Sequence, residues 1–146
     1  YVEAVADDLA ARGIVLPQKL GLMGRSNGGL LVGNMLSRCP ERFGAMVGEV
    51  PLLDMQVYHR HLAGASWMEE YGNPDEGSDW QFLQKLSPYQ TILRHASPPK
   101  DLPPVLFTTS RKDDRVHPGH ARKMVRRLQA ELGHSGAYLF ETAQGG

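Results

Sequence analysis

The chain has almost no cysteine, no surplus of either charge and no long apolar run. Cys39 is its only cysteine, which excludes an internal disulfide framework and favours a reducing compartment. Sixteen basic and sixteen acidic residues give a formal net charge of +0, so no global field attracts nucleic acid or an anionic membrane. No apolar stretch approaches transmembrane length. We therefore expect a soluble protein with no nucleic-acid or membrane partner, and we favour a cytoplasmic over a periplasmic location.

The composition is that of one globular domain, with 146 residues, 41% hydrophobic and 22% charged. The sequence starts at Tyr1 inside a helical spacing of Val2, Val5 and Leu9. It stops at Gly146, soon after a strand-like run. We interpret both ends as cuts, so that residues 1–146 are part of a longer domain truncated on both sides.

Strand-like and helical patterns alternate along the chain, which favours an α/β fold with a mostly parallel sheet and flanking helices. The predicted helices are residues 1–11, 28–38, 80–86 and 119–132, and the predicted strands are residues 19–23, 45–50, 105–109 and 137–141. Residues 54–77 are predicted to be an irregular, aromatic- and histidine-rich excursion over the sheet, and such loops often carry specificity. Residues 97–104 are predicted to be a proline-rich loop.

The segment Gly24-Arg25-Ser26-Asn27-Gly28-Gly29 lies between a predicted strand and a predicted helix. This pattern is typical of a nucleophile elbow, in which small neighbours allow a serine to occupy a sharp, strained turn. Ser26 Oγ would then project above the sheet, and the backbone amide of Asn27 would face a developing oxyanion. The alternative is an ordinary glycine-rich turn. The strand before it and the helix after it favour the elbow.

A serine nucleophile needs a base that takes its proton and an acid that orients the base. In hydrolases with this elbow the acid follows a later strand, and the loop after residues 105–109 supplies Asp113 and Asp114. We expect one of these two carboxylates to face the site and the other to cap a turn or to pair with a nearby base. Asp54, which follows the preceding strand, is a weaker rival.

The base is harder to place. The six histidines are His59, His61, His95, His117, His120 and His134. None follows the last predicted strand, where the base is expected, so we assign none of them to this role. Their H-x-H and H-x-x-H spacings could bind a metal, but without a third ligand surface or capping roles are favoured. We therefore expect no metal ligand.

Several separated motifs resemble the catalytic domain of the prolyl oligopeptidase family. They are Gly24-Arg25-Ser26-Asn27-Gly28-Gly29-Leu30-Leu31-Val32-Gly33, Ala65-Ser66-Trp67 with Glu70-Tyr71-Gly72, Asp113-Asp114-Arg115-Val116, and Gly145-Gly146. The resemblance implies a partial α/β-hydrolase fold and an N-terminal β-propeller partner domain that is absent from these residues. It also implies that Ser26 is the nucleophile, Asp113 the triad acid and the Asn27 amide an oxyanion donor.

The same resemblance implies roles in substrate binding. Trp67 would stack on the substrate's proline ring, Arg115 would hold a substrate carbonyl, and Tyr71 would lie close to the proline pocket. On the residues alone, Trp67 fits a core position equally well, and Arg115 could instead pair with Asp114. In the family the catalytic histidine directly follows the Gly-Gly pair that matches Gly145-Gly146.

We therefore predict a serine peptidase that cleaves short peptides after proline through an acyl-enzyme, without metal or organic cofactor. Since the base is missing, the 146 residues alone are expected to be inactive. Alternatives within the fold are an acylaminoacyl or dipeptidyl peptidase and a carboxylesterase. An alternative from another class is a non-catalytic hydrolase-fold binding module, against which the elbow and Asp113 argue.

Overall fold

Four parallel strands form the centre of the molecule. A computed structural model describes residues 1–94 and 101–143. Residues 97–100 of the predicted proline-rich loop, and the Gly145-Gly146 pair, lie outside the described residues. The strands are β1 (Gly21–Arg25), β2 (Ala45–Glu49), β3 (Val105–Ser110) and β4 (Ala137–Thr142), hydrogen-bonded in the order β1-β2-β3-β4. All three pairings are parallel. The predicted parallel sheet is thereby confirmed.

Helices connect the strands, as parallel pairing requires. They are α1 (Val2–Ala11), α2 (Asn27–Arg38), α3 (Met68–Tyr71), α4 (Gly77–Leu83), α5 (Pro88–Thr91) and α6 (Gly119–Ala130). Helix α2 joins β1 to β2, helices α3 to α5 lie in the long crossing from β2 to β3, and α6 joins β3 to β4. Helix α2 packs on β1 and β2, and α6 packs on β3 and β4.

Two predicted boundaries and the predicted character of one segment were wrong. Strand β1 starts two residues later than expected because Pro17–Lys19 form a 3₁₀ turn, with Pro17 at a position where its missing amide is not needed. Helix α4 begins at Gly77 rather than at residue 80 and ends at Leu83, since only turn-type bonds follow before Pro88. The excursion at 54–77 is not irregular, because 3₁₀ turns at Tyr58–Arg60 and Leu62–Trp67 precede α3.

Two apolar clusters hold these elements together. The larger lies between one face of the sheet and the helices, and includes Val32, Leu36, Met46, Phe107 and Leu128, each about fully buried. The smaller lies under the excursion beside the start of α2. Its members are Leu30, Leu52, Met55, Tyr58, Leu83 and Val116, with Trp67, Met68, Tyr71 and Trp80 packed against it. The second cluster therefore fixes the excursion next to the serine turn.

The opposite face of the sheet is open in the described part of the chain. Met23, Tyr138 and Phe140 are 64%, 56% and 58% exposed there. The register places Met23 beside Val47, Val47 beside Leu106 and Leu106 beside Tyr138. One sheet face is therefore packed against helices, while the other presents a row of apolar side chains.

Candidate active site

Ser26 occupies a strained turn between β1 and α2. Its backbone has φ 56° and ψ −111°, a region that non-glycine residues rarely adopt. Its amide donates to the Glu49 carbonyl at 2.9 Å, and its carbonyl accepts from the amides of Gly29 at 3.0 Å and Leu30 at 3.2 Å. Bonds to β2 and to the first turn of α2 thus hold Ser26 in the conformation that the elbow pattern predicts.

Two glycines make room for this turn. A Cβ on Gly24 would lie 2.2 Å from the Gly28 carbonyl oxygen, and one on Gly29 would lie 2.5 Å from Pro51 Cβ. A Cβ on Gly28 would meet nothing within 4 Å. The sequence-based interpretation required small residues on both sides of Ser26 so that side chains would not collide with the backbone. In the structure this requirement applies to Gly24 and Gly29 but not to Gly28, whose added Cβ would point into open space.

The amide of Asn27 is the first of helix α2. The first four amides of an α-helix have no partner within the helix, and the positive end of the helix dipole points the same way. Asn27 and Ser26 also line one cavity. This placement fits the predicted oxyanion donor, whose role stays a prediction.

Asp113 lies in a cavity that it shares with Ser26. This first cavity has a volume of about 90 Å³. Its lining residues are Arg25, Ser26, Val50, Asp113, Asp114, Arg115 and Val116. Asp113 Oδ1 accepts from the amides of Arg115 and Val116, both at 2.9 Å. The sequence suggested that one aspartate faces the site while the other caps a turn, but Asp113 does both, because a carboxylate has two oxygens.

Asp54, the weaker rival for the acid, lies elsewhere. It lines neither of the cavities beside Ser26 and is buried among partners. It forms an ion pair with Lys123 and accepts from Gln90 Nε2 at 2.9 Å. Burial alone would raise the pKa of Asp54, but the hydrogen bonds from Lys123 and Gln90 outweigh it and lower the pKa. This carboxylate is therefore committed to a structural ion pair.

A second cavity, of about 170 Å³, also borders Ser26. Its lining residues are Ser26, Asn27, Leu52, Trp67, Glu70, Tyr71 and Arg115. It brings together every predicted substrate-binding residue with the nucleophile. Trp67 also packs against the smaller apolar cluster, so it is both a core residue and a cavity wall. Arg115 forms no ion pair with Asp114 in the described part of the chain.

Tyr71 connects the second cavity to the elbow. Its hydroxyl donates to Asn27 Oδ1 at 2.6 Å, and its ring contacts Tyr58 edge to face with centroids 5.7 Å apart. Burial, and then the charge of Glu70, raise the pKa of Tyr71. The phenol therefore keeps its proton at neutral pH and remains a hydrogen-bond donor to Asn27.

The described histidines have structural contacts. His120 Nδ1 accepts from the Asp54 amide at 3.1 Å, His117 Nδ1 accepts from the Gly119 amide at 3.0 Å, and the His61 ring stacks on His117 with centroids 4.8 Å apart. His59 contacts Asp75, and His134 contacts the Pro103 carbonyl. His95 lies outside the described residues. No described histidine lines a cavity with Ser26.

Burial makes His120 a weak base. Burial and the Lys123 ammonium outweigh the Asp54 carboxylate and lower the pKa of His120 to about 4. Across residues 1–94 and 101–143, no group of three or more metal-ligating side chains is placed to hold an ion. Within the same ranges, no helix has the length and apolar content needed to cross a bilayer.

Sequence reasoning gave no role to five residues that line the two cavities: Arg25, Val50, Leu52, Glu70 and Val116. Val50 and Leu52 directly follow β2, and ligands in open α/β sheets bind at the carboxyl ends of strands. That rule could have identified both. Arg25, Glu70 and Val116 belong to the motifs that carry the family resemblance, but the residue types alone did not indicate a role for them.

Comparison with known sequences shows which family this chain resembles. A model of the prolyl oligopeptidase family matches residues 2–145. An uncharacterized peptidase of Sinorhizobium fredii is 44% identical over 144 residues, which are 99% of this chain and 19% of that protein. Prolyl oligopeptidase A of Galerina marginata is 41% identical over 122 residues, 82% of this chain and 16% of its own length. The chain thus spans about a fifth of the length of these relatives.

Solved structures of prolyl peptidases match this chain in fold and in sequence. One from a mechanistic study of two prolyl endopeptidases matches with a TM-score of 0.89 and 37% identity, over 99% of this chain and 21% of that one. A post-proline cleaving enzyme from Rickettsia typhi matches with a TM-score of 0.80 and 36% identity, over 97% of this chain and 19% of that one. Because the family model covers residues 2–145 and these structures match nearly the whole chain at more than 30% identity, the chain belongs to the prolyl oligopeptidase family and has its α/β-hydrolase fold.

Proposed function

We propose that the protein is a serine peptidase that cleaves short peptides after proline through an acyl-enzyme. One observation carries this proposal: Ser26, in its strained turn, borders both the cavity that holds Asp113 and the cavity that holds Trp67. A nucleophile, an acid and an apolar platform around one point are what acyl transfer from a proline residue requires. The prolyl endopeptidases among its relatives support the same substrate class.

In the proposed reaction Ser26 Oγ attacks the proline carbonyl carbon and passes its proton to an imidazole. From the family resemblance we expect this imidazole on the residue that directly follows Gly146. The carbonyl oxygen becomes an oxyanion next to the Asn27 amide. When the intermediate collapses, the C–N bond breaks and the imidazolium gives its proton to the leaving amine. Water then attacks the ester by the same route and restores Ser26.

Asp113 orients the base in this scheme. Two backbone amides fix its Oδ1, and no hydrogen bond to Oδ2 occurs in the described part of the chain. An imidazole N–H donating to Oδ2 would meet a carboxylate that cannot rotate without losing both amide bonds. The acid is thereby positioned before the base arrives, which reduces reorganisation during the reaction.

The second cavity supplies the preference for proline. The indole of Trp67 is a flat apolar surface on which a pyrrolidine ring can lie. The planar guanidinium of Arg115 offers several N–H donors to a substrate carbonyl. Tyr71 holds the side chain of Asn27. Together these residues would fix both the ring and the backbone of the residue that Ser26 attacks.

The test is hydrolysis of short proline-containing peptides by the full-length protein, with products identified by mass spectrometry. We expect cleavage on the carboxyl side of proline, and loss of activity and of fluorophosphonate labelling in Ser26→Ala. Ser66→Ala is the matched control, because Ser66 lies in the excursion, bonds only its own turn at Ala63, and lines neither cavity. Cleavage by Ser26→Ala at the wild-type rate, or no preference for proline, would refute the proposal.

A further inference from the structure

Glu70 lies in the substrate cavity without any role in the proposed reaction. It lines the second cavity together with Ser26, Trp67 and Arg115. Its side chain is exposed, and it forms no ion pair or side-chain hydrogen bond within residues 1–94 and 101–143. Its charge is nevertheless felt there, because it contributes, after burial, to the raised pKa of Tyr71. An unpaired carboxylate therefore faces the space where the peptide would lie.

Neighbouring charges leave this carboxylate uncompensated. Arg115 borders both cavities, and it lines the first of them together with Asp113 and Asp114. Across the two cavities the acids Glu70, Asp113 and Asp114 outnumber the bases Arg25 and Arg115 by one. The positive charge of Arg115 is thus shared with the acid loop, and the local balance favours a cation near Glu70.

The backbone places Glu70 beside the proline platform. Trp67 immediately precedes helix α3, and Glu70 is the third residue of that helix. Residues three apart on a helical turn lie on the same side. A peptide whose proline ring rests on Trp67 would bring its adjacent residue to the same side. When the proline carbonyl lies at Ser26 and the ring at Trp67, the ring nitrogen that bears the preceding residue lies on the Trp67 side, in the cavity that Glu70 lines.

We propose that Glu70 is a specificity-determining residue that favours peptides with lysine or arginine immediately before the proline and disfavours those with an acidic residue there. This role rests on the peptidase function proposed above. Because Glu70 is exposed, the effect is modest. Ion pairs between exposed groups change binding by about two- to five-fold, and salt weakens them.

The experiment compares kcat/KM of the full-length protein for three matched peptides that carry lysine, glutamine or glutamate before the proline. We expect the wild type to rank them in that order. Glu70→Gln should lower the lysine-to-glutamate ratio by about two- to five-fold, and Glu70→Lys should reverse the ranking. Glu69→Gln is the matched control, because it removes the same charge from an exposed neighbour that does not line the cavity.

The outcomes separate this role from the proposed function. If no peptide is cleaved after proline, the peptidase function itself fails. If proline is cleaved but Glu70→Gln leaves the lysine-to-glutamate ratio at the wild-type value, the role of Glu70 is refuted and the peptidase function stands. Equal changes of the lysine-to-glutamate ratio in Glu69→Gln and Glu70→Gln would also refute the role of Glu70. They would show that the net charge of the helix acts over a distance and that a direct contact of Glu70 with the peptide is not needed. Raised ionic strength should reduce the ratio in wild type and leave it nearly constant in Glu70→Gln.

Discussion

Asp113 shows how one side chain can serve structure and chemistry together. Its Oδ1 closes the turn of the acid loop through the Arg115 and Val116 amides, while the residue lines the cavity that contains Ser26. Asp114 lines the same cavity but caps nothing in the described part of the chain. The two neighbours therefore differ in how firmly their carboxylates are held, and only a firmly held one can fix an imidazole.

We expect Asp113→Asn in the full-length protein to lower kcat by about 10⁴, the effect of turning a triad acid into an amide while geometry is kept. The asparagine oxygen can still accept from both backbone amides, so the loop should stay folded. Asp114→Asn is the control and should keep most of the activity. A larger loss in Asp114→Asn than in Asp113→Asn would transfer the role of the acid to Asp114.

Trp67 permits a second test at this scale. Trp67→Ala should cost about 1–3 kcal/mol in kcat/KM for proline substrates, the scale of losing apolar contacts in a pocket. Because Trp67 also packs against the smaller cluster, stability must be followed by thermal unfolding in parallel. A larger loss of kcat/KM for proline than for alanine substrates would show that Trp67 contacts the proline ring. Equal losses for both would make Trp67 a packing residue only.

At the scale of elements, the excursion and helix α6 meet through buried polar contacts. His120, in the first turn of α6, is 4% exposed and accepts the Leu53 and Asp54 amides through Nδ1. These amides follow β2 and would otherwise be buried without a partner, which is costly. The neutral imidazole thus ties the end of β2 to α6, and its low pKa is the consequence of that placement.

This contact predicts acid sensitivity. Since the pKa of His120 falls from 6.5 to about 4 on folding, the unfolded chain takes up a proton below pH 6.5 that the folded chain refuses until about pH 4. Stability is therefore fully present above pH 6.5 and decreases as the pH falls through this window, by about 3 kcal/mol at most. Asp54, Lys123, His61 and His117 lie close enough to the imidazole to influence its pKa.

Urea unfolding of the full-length protein at pH 7, 6, 5 and 4.5 measures this effect. His120→Gln is the variant of choice, because its amide oxygen can accept the same backbone bonds without titrating. We expect the wild type to lose more stability than His120→Gln between pH 6.5 and 4.5. Identical pH profiles for the two proteins would show that His120 does not carry the acid sensitivity.

Much of this arrangement was predictable because it depends on local pattern. Apolar runs gave four strands, and the glycine-flanked serine between β1 and α2 gave the elbow. The sequence could not show that a side chain would be excluded at Gly24 but tolerated at Gly28. This difference depends on which backbone segment approaches each Cα in the fold. The pairing of Asp54 with Lys123 joins residues 69 positions apart, and no spacing rule foresees it. The helical turns before α3 depend on packing against the smaller cluster rather than on propensity.

At the scale of the whole molecule, the open face of the sheet is the main liability of these residues in isolation. Met23, Tyr138 and Phe140 are more than half exposed, and β1 and β4 both end the sheet on an unpaired edge in the described part of the chain. Open edges beside apolar surface promote association with other chains. The 146 residues expressed alone are therefore expected to be poorly soluble.

The same polypeptide should not react with a fluorophosphonate probe. Without a base beside it, Ser26 is a weak nucleophile, and removing the histidine of a serine peptidase lowers kcat by about 10⁶. No described histidine lines a cavity with Ser26. Labelling is measured by mass spectrometry of the soluble fraction. Rapid stoichiometric labelling, abolished in Ser26→Ala, would show that one of the six histidines acts as the base.

The stacked rings of His61 and His117 have a mechanical consequence. His61 immediately precedes the turn Leu62–Trp67, and His117 directly follows Val116 at the end of the loop that carries Asp113. The two histidines also line a cavity of their own, which Ser26 does not border. The stack therefore links the segment before Trp67 to the segment after Asp113 through one ring contact, in addition to the apolar packing of the smaller cluster.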